Sequence, residues 1–267
     1  MSSNSHITAL REFPAQATLL EMEMEVMKMI ATDQPMADVL NLVAHNFENN
    51  IKGAYCSILL IDKAGVHVRH GAAPSLPDEY NRAIDGLAMG AKHGSCGTAA
   101  FNKERVIVSD IAADPLWEDY KELALRHGLK ACWSTPIMHN NGKVLGTFAI
   151  YYKEIKKPEK IDLELIDRSA NQVKIAIEQN NRAAELAESE EKYRTLAETI
   201  PDAISRYDKE LRLTYTNPTS LRVIGLKKED VIGKTHSELG FDEDRVRFWD
   251  ESLKYVFETG NPLRKEF

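Results

Sequence analysis

The residues best suited to chemistry lie in the segment Gly94-Ser95-Cys96-Gly97-Thr98. Cys96 offers a thiol that becomes a nucleophile once ionised. Ser95 or Thr98 can cap a helix there, leaving free backbone N–H groups to attract an anion. The bland alternative is a tight turn, with the glycines easing the backbone and Cys96 serving as a small buried apolar residue. The spacing is neither GxGxxG nor that of a phosphate-binding loop. Trp117, Tyr120 and Trp133 could wall a pocket, and Trp133 shares a strand face with Thr135. Aromatic faces beside a few polar groups suit a small planar ligand in a cavity of roughly 300 Å³ or more. The competing reading is that these rings only fill a core.

Elements that would position these residues are legible from periodicity. Ala15–Ala31 and Met36–Asn49 carry apolar residues at three- and four-residue steps, predicting two helices broken at Asp33-Gln34-Pro35. Ala54–Ile61 and Val144–Tyr152 are apolar on both faces, as in covered strands. Asn140-Asn141-Gly142 supplies a hairpin turn. Val106–Val108 is a short strand, and the DIAADPLW turn and a helix follow. Helices flanking an antiparallel sheet predict an α+β fold. Glu159–Glu198 is one long helical pattern. Ile166, Ala170, Val173, Ile177, Ala184 and Ala187 follow four–three spacing in it, which suits a parallel homodimer seam. An ordinary helix face packed on its own domain has the same spacing.

Bulk properties narrow the function. The 267 residues carry net charge −7 with the two signs interspersed, so no basic stripe is available for nucleic acid. No apolar run is long enough for a membrane span. MSSNSHITALREF lacks the regions of a signal peptide. Three cysteines without a CxxC pair then suggest reduced thiols and a cytoplasmic location. No metal site is predicted, and no cofactor is identifiable. His93 and His127 are the candidates for an axial haem ligand, each with an ordinary structural reading. His236, between Thr235 and Ser237, reads as solvated.

The run KHGSCGTAAFNKERVIVSDIAADPLWEDYKELALRHGLKACWSTPI, Lys92–Ile137, resembles the second half of a GAF domain, a small-molecule-sensing module. That resemblance covers roughly Ala15–Asn180. From Glu191 onward the chain resembles the opening of a PAS domain. The features are the Leu-Ala-Glu-Thr-Ile-Pro-Asp entry, a strand Ala203–Asp208, a strand ending in Tyr215-Thr216-Asn217, and Glu229-Asp230-Val231-Ile232-Gly233-Lys234. Pro262–Phe267 reads as a third strand. The resemblance implies a GAF-like sensor domain over 1–158, a connector helix over 159–198 and a partial PAS-like domain over 199–267. It also implies a fragment of a longer sensor with a histidine kinase or diguanylate cyclase output.

The GSCGTA segment further resembles free methionine-(R)-sulfoxide reductases, which carry a second cysteine where this chain reads Pro115-Leu116-Trp117-Glu118-Asp119. Cys132 and Cys56 lie on other strands and do not replace it, so catalysis is not expected. The Cys-His pair that attaches a bilin would fall on Asp119-Tyr120 and is absent. Asn102-Lys103 begins like the cyclic-nucleotide signature, but its downstream residues are not in place. The resemblance therefore implies a sensory role, detecting a small molecule or a redox signal, with Gly94, Ser95, Cys96, Gly97, Trp117, Tyr120, Trp133 and Thr135 around a small-molecule ligand. A dimerisation and scaffold module without a ligand is the alternative.

Overall fold

The computed structural model describes residues 19–265. Residues 15–18 of the first predicted helix, the MSSNSHITALREF segment and the last two residues lie outside these. Among the described residues no helix is long and apolar enough to cross a membrane. The chain divides into two compact units at Ala183/Ala184.

The first unit is built on a five-stranded antiparallel sheet. Its strands are β1 (Tyr55–Ile61), β2 (Val68–Ala72), β3 (Val106–Val108), β4 (Ala131–Met138) and β5 (Val144–Tyr152), in the order β2-β1-β5-β4-β3. Every residue of the central β5 is buried, which explains its unbroken apolar character. Gly146 in β5 is required, because an added Cβ would collide with the Leu59 carbonyl of β1. Gly142, at φ 82°, makes the turn from β4 to β5.

Each face of the sheet has its own core. One is covered by α1 (residues 19–31), α2 (Met36–Asn50) and the first half of α6 (Lys160–Thr199). Leu40, Val43 and Phe47 pack there against Trp133, Phe148 and Ile150. The other is covered by α3 (Asp78–Ile84), α4 (Gly94–Asn102), a short 3-10 turn (Pro115–Trp117) and α5 (Lys121–Arg126). Tyr80, Cys96, Trp117, Cys132 and Tyr151 meet on that side.

The predicted dimer seam is corrected here. Ile166, Ala170, Val173 and Ile177 are buried in the first core, against the unit's own sheet. Sheet cover demands the same four–three spacing as a coiled coil, and the large residues of β4 and β5 need covering. Ala184 and Ala187 are exposed, as is every residue from Gln179 to Glu188.

The second unit holds the two-stranded antiparallel sheet β6 (Ser205–Tyr207) and β7 (Leu213–Thr216). Helices α7 (Pro218–Ile224), α8 (Lys228–Val231) and α9 (Glu243–Thr259) follow. Residues 262–265 form no strand, contrary to the reading of Pro262–Phe267. Buried Asn217 organises this unit. Its side-chain oxygen accepts from the Ser220 and Ile204 amides at 2.9 and 3.0 Å, capping α7. Its amide nitrogen donates to the Ala197 and Asp202 carbonyls at 2.9 Å each. His236 is buried at 4% exposure, not solvated. Its Nε2 lies 2.9 Å from the Tyr207 hydroxyl and its Nδ1 3.5 Å from Asp250 Oδ1, with Trp249 stacked on its ring.

Candidate functional site

Helix α4 opens directly at the glycine-bearing segment. Gly94 sits at φ 60°, a conformation that favours glycine, and starts the helix beside the Trp117 indole. No side chain caps the first turn. Thr98 instead reaches back, its hydroxyl accepting from the His93 amide at 3.1 Å. Ser95 joins three elements. Its hydroxyl donates to the Cys132 carbonyl of β4 and accepts from the Trp117 indole nitrogen, both at 3.0 Å. Asp114 fixes the turn that carries Trp117 by accepting from the Leu116 amide at 2.9 Å.

Ser95 thereby seats Cys96 on the sheet. The Cys96 sulfur lies 3.7 Å from the Tyr151 hydroxyl and shares a buried cluster with Cys132, the cross-strand partner of Tyr151. The separation of Cys132 from Cys96 in sequence is undone by the fold, which sets β4 under α4. Strand alternation puts Cys132 and Ser134 of β4 on one face, with Thr147 and Tyr151 of β5 beside them. The Ser134 and Thr147 hydroxyls are fully buried and make no hydrogen bond of regular geometry.

The two thiols are electrostatically unequal. A hydrogen bond from Cys132 outweighs burial at Cys96, and with help from Ser134, Tyr151 and Thr147 brings it down to about 7. Burial pushes Cys132 well up, and holding a proton toward Cys96 adds to this. Cys56, buried elsewhere and near Glu48, is also pushed well up, chiefly by burial.

A cavity of about 40 Å³ adjoins the cluster, lined by Gly94, Ser95, Cys96, Gly97, Trp117 and Tyr120 among others. Six of the eight sequence-derived site residues therefore meet. The other two do not. Trp133 lies on the opposite face, 4.7 Å from the Tyr152 ring, with its indole donating to the Lys156 carbonyl at 3.2 Å. Thr135 lies there too, accepting from Arg105, which also pairs with Asp167 of α6. The two residues do share a side, but β4 is covered on both faces and its composition does not say which face meets α4.

The cavity is also far smaller than the expected 300 Å³. Tyr151 fills the space, packed edge-on by Trp117 at 6.4 Å and Tyr80 at 5.7 Å. What remains has room for about three waters, at roughly 10–15 Å³ each. Cys132, Tyr151 and Tyr80 were missed as site residues. The available signal was the alternation of Cys132 and Ser134 against Trp133.

The GAF domain family matches residues 33–178, and the PAS domain family matches residues 191–258. The chain is 36% identical over 222 residues to the methyl sulfide methyltransferase-associated sensor of Methanosarcina acetivorans. The aligned region is 80% of this chain and 22% of that relative, so the chain spans about a fifth of the relative's length. The GAF domain of a phosphoenolpyruvate-protein phosphotransferase from Coxiella burnetii aligns at TM-score 0.50 and 15% identity, over 62% of this chain and 96% of that one. Residues 122 to 287 of a methyl-accepting chemotaxis protein align at TM-score 0.50 and 23% identity, over 61% and 98%. At such identities the structural likeness is one of fold.

Proposed function

The chain belongs to the GAF domain family, with a PAS domain following in the same polypeptide, and on that premise we propose that it is the sensory input region of a cytoplasmic signal-transduction protein. The α4 site receives the signal, and α6 relays it to an output domain of the histidine kinase or diguanylate cyclase type outside these residues. The observation that supports this reading is α6 itself. It covers the sheet with Ile166, Val173 and Ile177, and continues unbroken into the second unit, where Asn217 holds its Ala197 carbonyl. The named role of the Methanosarcina acetivorans relative, a sensor, agrees with it.

Relay through a helix depends on its rotation. Inserting one residue into the exposed stretch 179–188 of the full-length protein turns everything beyond by about 100°, whereas seven residues nearly restore the phase. The one-residue insertion should change basal output about tenfold, and the seven-residue insertion should leave it near wild type. Equal output from all three proteins would sink the relay.

The small cavity favours a second reading, a dimerisation and scaffold module that binds no small molecule. For either reading we propose that pairing with a second copy uses the far half of α6. Leu186 and Tyr193 are seven residues apart, Leu196 follows three later, and all are exposed, at 62%, 70% and 50%.

A further inference from the structure

We propose that Cys96 and Cys132 form a peroxide-reactive dithiol, with Cys96 the attacking residue and Cys132 the resolving one. Four observations carry this. Cys96 and Cys132 lie in one buried cluster although 36 positions apart: Ser95 bonds the Cys132 carbonyl at 3.0 Å, and the Cys96 sulfur lies 3.7 Å from the hydroxyl of Tyr151, the cross-strand partner of Cys132. Only Cys96 of the two lines the cavity, so an oxidant entering there meets it first. The cavity of about 40 Å³ admits a molecule of the size of hydrogen peroxide and excludes a metabolite. The Ser134 and Thr147 hydroxyls, fully buried and without partners among the described residues, lie on the sheet face of Cys132 and Tyr151 that α4 covers, and can stabilise an oxygen placed on the Cys96 sulfur.

In the first step the Cys96 thiolate attacks one peroxide oxygen and the O–O bond breaks. Cys96 becomes a sulfenic acid, and the other oxygen leaves as hydroxide and takes up the thiol's proton as water. In the second step the Cys132 sulfur displaces the sulfenic hydroxyl, which leaves with the Cys132 proton as a second water. Two thiols lose an electron pair to one peroxide, giving a disulfide and two waters. The low proton affinity of Cys96 suits the attacking role, since the thiolate is the reactive form. Cys56, buried with a raised proton affinity and outside the cavity lining, is the internal control.

This chemistry goes beyond the sensory reading and does not depend on it. The test treats the whole chain with hydrogen peroxide, quenches with a thiol alkylator under denaturing conditions and maps the cysteine peptides. The expected result is a linked Cys96–Cys132 peptide pair, reversed by dithiothreitol, with Cys96 consumed about tenfold faster than Cys56. In Cys132→Ser, Cys96 should accumulate as a sulfenic acid that dimedone captures. Equal rates at Cys96 and Cys56, or loss of Cys96 without the linked pair in the unsubstituted chain, would overturn the proposal, and neither result depends on a variant folding. A linked pair that leaves hydrogen exchange in α6 unchanged supports the dithiol and counts against the sensory reading alone.

Discussion

The Ser95 hydroxyl decides how α4 meets the sheet, because one oxygen satisfies both the Trp117 indole and the Cys132 carbonyl. Trp117 is 3% exposed and packs on Tyr151, so it is a core residue as well as a cavity wall. Trp117→Ala should therefore cost about 3–5 kcal/mol in denaturant unfolding. A near-neutral change would mean that the indole only lines an open site. His236 gives a pH dependence. Burial depresses its proton affinity below the ordinary value near 6.5, despite Asp250 beside it. The unfolded chain therefore takes up this proton at higher pH than the folded one does. Stability is full above about pH 6.5, falls as pH drops below it and levels off beneath the folded value. Urea midpoints read from the β6 and β7 amide signals of the whole chain should be lower at about pH 5.5 than at about 7.5. His236→Phe should remove the difference.

At the scale of elements, α6 separates two kinds of contact along one helix. Val173 has no exposure, so Val173→Lys places an unpaired ammonium in the first core and should cost several kcal/mol, abolishing cooperative melting of the first unit. Leu186→Lys, on the exposed stretch, should leave that melting within about 0.5 kcal/mol and lower the mass seen by light scattering. If Leu186→Lys scatters as the unsubstituted chain does, the far half of α6 is not where copies meet. The length of α6 was readable because its apolar spacing continues for many turns. Its partner was not, because a seam between copies and a cover over a sheet impose one period. Strands β3 and β5 were likewise readable to the residue, yet β4 hid its orientation, being apolar on both sides. Ser95 and Cys96 were visible as chemistry in the sequence, whereas the adjacency of Cys132 exists only once β4 passes beneath α4.

Across the whole molecule the two units differ in how well they are covered. The first has two cores on a five-stranded sheet, while the second has two strands and an α9 that buries no residue completely. Amides of β6 and β7 should therefore exchange faster than those of β4 and β5 in the intact chain. Equal protection would mean that a partner surface completes the second unit. Asparagine chemistry divides the molecule along another line, that of ageing in storage. Deamidation proceeds when the next residue's backbone nitrogen attacks the side-chain amide. Asn217 precedes Pro218, which has no N–H to attack with, so the amide that ties together β6, α6 and α7 is chemically protected. Asn141 precedes Gly142, which has an N–H, at an exposed turn and has no such protection. An old preparation should gain its amide-to-acid mass shift at the β4–β5 hairpin, while the joint at Asn217 stays intact.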